Sequence, residues 1–181
     1  VLDLGFSANM RQLLRILLRK GRRRTIIFHM STRESQVYFD ELRTNHVEFD
    51  HRLFIPYEFG TCVHEDKDRQ RRELRNYLAT LLKRAVADAR ADSVIFNNAD
   101  IMRATLGLFQ EWELRMPDDI AAVAVEDYPR INRMEDCAVS ALQYNWGGLG
   151  AEMARGFLGE YFYPERLERR PTLVERESSL A

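Results

Sequence analysis

Three short runs in this chain are apolar along nearly their whole length: Thr25 to Met30 (TIIFHM), Ser93 to Asn97 (SVIFN) and Ala121 to Val125 (AAVAV). A strand with one face in water alternates polar and apolar side chains, whereas a continuously apolar strand must be covered on both faces. The stretches between these runs carry the opposite signature, apolar residues recurring at helical spacing. Met10, Leu13, Leu14, Leu17 and Leu18 predict a helix capped at Ser7 or Asn9 and stopped at Gly21. A second helix is expected from Glu34 to Thr44. A long third one runs from Asp66 to Ala91, with Leu74, Tyr77, Leu78, Leu81, Leu82, Ala85 and Ala89 on one face. A fourth carries Leu106, Phe109 and Trp112. Arg52 to Tyr57 and Val139 to Tyr144 read as further strands, Trp146 to Tyr161 as another helix, and Thr172 to Arg176 as a last strand. Helices alternating with doubly buried strands specify an α/β architecture, a doubly wound parallel sheet.

The 181 residues, 45% hydrophobic and 30% charged, suffice for one domain or two small lobes. A formal net charge of -1 argues against nucleic-acid binding by bulk charge. The sequence has no apolar run of about 18 residues and no signal-peptide pattern at its start, so a soluble, cytoplasmic protein without membrane contact is expected. The chain begins without Met and reads as a fragment. Cys62 and Cys137 have no metal-type spacing and are expected to be reduced. His29, His46, His51 and His64 form no HExxH motif, and Cys62-Val63-His64 alone is a poor metal site. No cofactor is expected. Without a nucleophile elbow or a Walker loop the chain does not read as an enzyme. The basic group Arg19, Lys20, Arg22, Arg23 and Arg24 is read as a solvated linker rather than a phosphate site. Gly147-Gly148-Leu149-Gly150 lacks the full dinucleotide-binding pattern.

Ligands of open parallel sheets bind just beyond the carboxyl ends of the strands. This rule selects Ser31, Thr32, Arg33 and Glu34 after the first apolar run, Asn97, Asn98 and Asp100 after the second, and Glu126 and Asp127 after the third. Each has a plainer alternative. Asn98 and Asp100 suit a helix cap, Arg33 and Glu34 a helix start, and Glu126 with Asp127 a solvated turn before Tyr128-Pro129. Pro117, Asp118 and Asp119 are expected to serve as turn residues that lead into the third strand.

Met116 to Asp127 (MPDDIAAVAVED) resembles the VPDDIAVVGFDD segment of the lactose-repressor/galactose-repressor (LacI/GalR) family of bacterial transcription regulators. Leu18 to Thr25 (LRKGRRRT) is similar to that family's L-x-x-G-H-R-R-I, with Arg22 in place of the histidine. Ser140 to Gly150 (SALQYNWGGLG) resembles its T-T-V-x-Q-P-x-x-x-L-G, and Leu173 to Ser179 (LVERESS) its closing L-V-x-R-E-S-S. The four segments occur in the family's order and together extend over most of the chain.

The resemblance implies a periplasmic-binding-protein-like (type I) effector domain of two α/β lobes with a small ligand in the cleft between them. Residues 1–24 would end the N-terminal lobe and cross over, and 25–142 would form the C-terminal lobe. Residues 143–170 would return to the N-terminal lobe, and 171–181 would supply the final strand. The family's ligand-contacting arginine falls at Glu34, beside Arg33. Its asparagine falls at Asn98, near Asp100, its ligand-binding aspartate at Glu126 and its glutamine at Tyr144. With Phe96, these residues make up the expected ligand-binding set. The implied partners are a small-molecule effector, a sugar or related metabolite, a second copy in a homodimer, and DNA reached only through a headpiece that this chain does not contain. Two alternatives stay open: a transporter's solute-binding protein of the same fold, and a domain that only dimerises.

Overall fold

The computed structural model of the chain describes residues 6–28, 32–56, 66–127, 133–134, 137–159 and 171–179. The ends of several expected elements, at His29, Met30, Tyr57 and Tyr161, and the segments holding Cys62, His64, Tyr128 and Pro129 lie outside those residues.

A six-stranded sheet forms the centre, in the order β2-β1-β3-β4-β7-β8. Its strands are β1 (Thr25–Phe28), β2 (Phe54–Ile55), β3 (Ser93–Phe96), β4 (Ala121–Ala124), β7 (Ser140–Gln143) and β8 (Thr172–Val174). All neighbours run parallel except β8, which pairs antiparallel with β7. A separate two-stranded ladder joins β5 (Arg133–Met134) to β6 (Cys137–Ala138).

Every residue of β1, β3 and β4 is buried, as strands covered on both faces require. On one face, Ile26, Phe28, Val94, Phe96, Ala122 and Ala124 pack against α3 (Lys67–Lys83) and α4 (Ala99–Glu111) through Leu74, Leu78, Leu82, Ile101, Met102 and Phe109. On the other, Ile27, Ile95, Ala121, Val123 and Leu142 meet α1 (Phe6–Arg19) and α2 (Thr32–Thr44) through Met10, Leu13, Leu14, Leu17, Val37, Tyr38 and Leu42. The doubly wound α/β architecture is thus present.

α1 corrects one expectation. Assigned from sequence to the end of a separate lobe, it instead covers this sheet and is clamped to α2. Arg15 donates two hydrogen bonds of 3.0 Å to the carboxylate of buried Glu41, and Arg11 reaches the same group at 3.1 Å. Nor is Asn9 the cap of this helix, which already includes Phe6. The strand expected over 52–57 is shortened by a 3-10 turn, His51–Leu53, because the Asp50 side chain caps the Arg52 N–H and also binds its guanidinium.

The basic group before β1 is likewise no solvated linker. The backbone N–H groups of Arg23 and Arg24 donate to Asp92, Arg22 donates to the Pro117 carbonyl, and Arg24 binds the Ala89 carbonyl and Asp50. These contacts seal the amino-terminal edge of the sheet. Pro117 to Asp119 do form turn structure: the Arg115 N–H and guanidinium donate to Asp119 at 2.9 and 3.0 Å, and the Asp119 N–H returns to the Arg115 carbonyl.

α5 (Trp146–Phe157) differs from the other helices in having no buried residue. Its Asn145 cap accepts from the Gly148 N–H at 2.9 Å, and a Cβ at position 148 would stand 2.6 Å from the Asn145 side chain. The glycine therefore permits the cap to close, which accounts for part of the glycine run without any phosphate.

This packing can be tested by substitution. Leu14→Ala should cost about 2–5 kcal/mol in urea unfolding, whereas Met153→Ala on exposed α5 should stay within about 0.5 kcal/mol. The hydrogen bonds and charge of Arg115 hold the Asp119 carboxyl down at about 2. A depressed carboxyl stabilises the fold at pH values above its unfolded pKa, and that contribution is lost as pH falls through about 2. In an NMR titration, Arg115→Ala should raise the Asp119 midpoint toward the ordinary carboxylate range, with the retained N–H at position 115 preserving part of the depression.

Candidate functional site

The strand order reverses between β1 and β3: the chain leaves β1 for β2 on one side and returns to β3 on the other. Consistent with this, α2 after β1 covers one face and α4 after β3 the opposite one, which opens a crevice beyond the carboxyl ends. Of the polar residues picked out from the sequence, Ser31 lies outside the described residues; the others stand along this edge, in three different environments.

Glu34 and Glu126 each lie close enough to Tyr144 for their charges to act on its hydroxyl. Glu34 lies in the first turn of α2, Glu126 two residues beyond β4 and Tyr144 immediately after β7, each partly buried. Burial first, and then the charges of Glu126 and Glu34, push the Tyr144 hydroxyl up to about 12, against a hydrogen bond from Asn9 that lowers it. Asn9, 4% exposed on α1, donates its side-chain N–H to the Tyr144 oxygen. The Tyr144 ring stacks on Trp146 with centroids 5.0 Å apart and planes at 27°. Arg33 stands beside Glu34 on the exposed side of the α2 start.

Asn98 and Asp100 do what the plainer alternative allows. Asn98 Oδ1 accepts from the Asp100 and Ile101 N–H groups at 2.8 and 3.1 Å, capping α4, and Asp100 is an exposed first-turn residue. Phe96 is withdrawn from the edge: it is fully buried and stacks on Phe28 at 6.1 Å, because its place in β3 aims it at the α3/α4 face.

The acidic pair after β4 divides its roles. The Val125 N–H donates to the Phe96 carbonyl and the Asp127 N–H to the Leu142 carbonyl, so the turn is tied to the strands on either side. The Asp127 carboxylate pairs with Arg176 at 2.7 Å, with side chains only 8% and 13% exposed. Arg176 also donates to the Val139 carbonyl. Next to it, Ser178 accepts from the Ser140 N–H at 2.8 Å and donates to the Ala122 carbonyl at 2.6 Å, while Ser179 bonds the Ser140 hydroxyl at 2.7 Å. The closing Arg176-Glu177-Ser178-Ser179 segment is thus a clasp over β4 and β7.

Sequence reasoning misses Asn9, Trp146 and Arg176 as neighbours of this edge. The first two suggest only a helix cap and helix packing. Arg176 is matched within the closing L-V-x-R-E-S-S segment, but its pairing is not legible there, because its partner lies 49 residues away. Two concavities, of about 570 and 340 Å³, lie elsewhere, around Arg24, Asp50, His51, Arg52 and Arg84 and along Phe54, Ile55 and Leu81. In the first, Arg52 and Arg24 hold the Asp50 carboxyl well below the usual carboxylate range. Among the described residues no group of three or more His, Cys, Asp or Glu is placed to hold a metal, and no helix is long and apolar enough to cross a membrane.

No protein-family model matches the sequence, and no curated protein does. Solved structures do match. A LacI family transcriptional regulator from Lactobacillus casei with bound Tris aligns over 98% of this chain and 64% of its own, at TM-score 0.73 and 17% identity. A PurR family transcriptional regulator from Vibrio parahaemolyticus aligns over 97% and 63%, at TM-score 0.74 and 17% identity. The transcriptional regulator CelR in complex with cellobiose aligns over 96% and 52%, at TM-score 0.69 and 22% identity. The likeness is one of fold, and the chain spans roughly half to two thirds of the length of these regulators.

The clasp yields a prediction. Arg176→Ala leaves the Asp127 carboxylate buried without its cation and should destabilise the chain by about 3 kcal/mol, read as a lower urea midpoint at unchanged slope.

Proposed function

We propose that this chain is the effector-sensing and dimerising part of a LacI/GalR-like transcriptional regulator. In this reading a small molecule, a sugar or related metabolite, sits at the carboxyl edge and alters DNA binding by a separate headpiece. The placing of Glu34 and Glu126 within electrostatic reach of Tyr144, on the carboxyl edge that the reversal of strand order opens, carries the proposal. Fold likeness to regulators described with Tris or cellobiose supports it. The protein acts by binding rather than turnover, in the cytoplasm, and as a homodimer.

Residues 25–142 together with α1 form one lobe, and 171–181 close it. The exposed α5, within 143–170, reaches toward a second lobe that forms the other wall of the cleft. Its Met153, Phe157 and Leu158 are 44, 86 and 78% exposed, as suits a helix whose packing partner lies outside this sheet. A ligand that favours one arrangement of the lobes shifts the regulator between states by its difference in affinity for the two.

Thermal-shift and calorimetric screens of the full chain against neutral sugars, polyols and their amino derivatives test this. A true effector at about 100 times its Kd should add about 2.7 kcal/mol of stability and, in a regulator that carries the headpiece, change operator affinity in fluorescence anisotropy. A chain that no small molecule stabilises has no sensing role.

A further inference from the structure

β2 ends the sheet on one side, and among the described residues no strand pairs with its outer edge. Beside it runs a cleft of about 340 Å³, whose apolar lining is Phe54, Ile55, Pro56 and, from α3, Leu81. The Phe54 ring stacks on Phe39 with centroids 6.1 Å apart, which steadies that wall. The other lining side chains are His51, Arg52 and Arg84, so among the described residues the cleft is bordered by basic groups and no acid.

The two arginines are presented in different ways. Arg52 is fixed in place: its Nε and Nη2 donate to the Asp50 carboxylate at 2.9 and 2.7 Å, which leaves the Nη1 hydrogens outside that pair. Arg84 opens the π turn Arg84–Asp88 that follows α3, in which the Ala89 N–H reaches the Arg84 carbonyl at 3.1 Å. Turns of this kind are frequent at functional sites. Among the described residues no carboxylate forms an ion pair with Arg84. The contacts that seal the amino-terminal edge of the sheet therefore do not use it. The acids of this neighbourhood, Glu48, Asp50 and Asp88, line only the larger concavity next door, and Asp50 is held there by Arg24 and Arg52. An apolar cleft with a basic border suits a ligand of matching build, with carbon surface for the wall and one negative group for the guanidinium N–H donors.

We propose that the cleft between β2 and α3 binds a small apolar carboxylate, an aryl or branched alkyl acid, with its carbon body on Phe54, Ile55, Pro56 and Leu81 and its carboxylate at Arg84 and Arg52. This site uses no residue of the carboxyl edge, and neither reading depends on the other.

The test sets phenylacetate against phenylacetamide and isovalerate against isovaleramide, with acetate and inorganic phosphate as anions that lack the carbon body. Calorimetry and methyl NMR are run on the full chain. In at least one pair the acid should bind about tenfold or more tightly than its amide and than either small anion. It should shift the Ile55 and Leu81 methyl signals and leave Val125, at the carboxyl edge, in place. Arg84→Gln should remove most of the preference for the acid and Arg84→Lys should keep part of it, with circular dichroism and the urea midpoint confirming that each variant folds. Amides that bind as tightly as the acids overturn the assignment, as does an acid preference that survives in folded Arg84→Gln. Acetate or phosphate binding equally well makes this a plain anion site and removes the role of the apolar wall. Shifts at Val125 without shifts at Ile55 and Leu81, or silence from every compound, also overturn it. So does a concentration-dependent self-association in sedimentation that Arg84→Gln weakens, because the cleft then belongs to a second copy of the chain.

Discussion

Because helices close both faces of the central sheet, a polar side chain within β1, β3 or β4 must either find a partner in the dry interior or be absent. Thr25 and Ser93 show the first course: they sit on adjacent strands and bond each other at 2.8 Å. Elsewhere these strands are apolar, so charged chemistry can leave the sheet only at its two ends. The whole distribution of charge in the molecule follows from that constraint.

The two ends are used differently. At the amino-terminal edge, acids and bases satisfy one another: Asp92 takes the Arg23 and Arg24 N–H groups, Asp50 takes Arg24 and Arg52, and Arg22 takes a carbonyl. Such contacts tie strand starts together and leave little charge for a visitor. At the carboxyl edge, by contrast, Asp127 is neutralised from within by Arg176, while among the described residues no cation pairs with Glu126 beside it. The asymmetry separates an end whose charges are spent on holding the sheet from an end where one acid is left to the edge.

The strands are legible in the sequence because a short, continuously apolar run suits a doubly covered strand and little else, and the helices because their periodicity is strong. α1 shows where such reading stops. Its apolar stripe reveals that it is buried, but the surface it covers depends on Leu13, Leu14 and Leu17 meeting Ile27 and Ile95, a long-range fact. The Arg22 to Arg24 cluster looks solvated for the same reason, since its acceptors Asp92 and Pro117 lie far along the chain. Phe96 is misplaced because it still belongs to the doubly covered strand: helices pack on either face, and its own is the α3/α4 face. Glu34, Glu126 and Tyr144 can be found because a topological rule fixes which strand ends carry chemistry, whatever the side chains.

The turn after β4 has one further consequence. Backbone bonds from Val125 and Asp127, together with the Arg176 clasp, fix the path of the chain on both sides of position 126 without using its side chain. That residue is therefore an interchangeable tip on a rigid mount. Its length and charge can change while the mount stays in register, so a substitution at this position alters the character of the edge without refolding the chain beneath it.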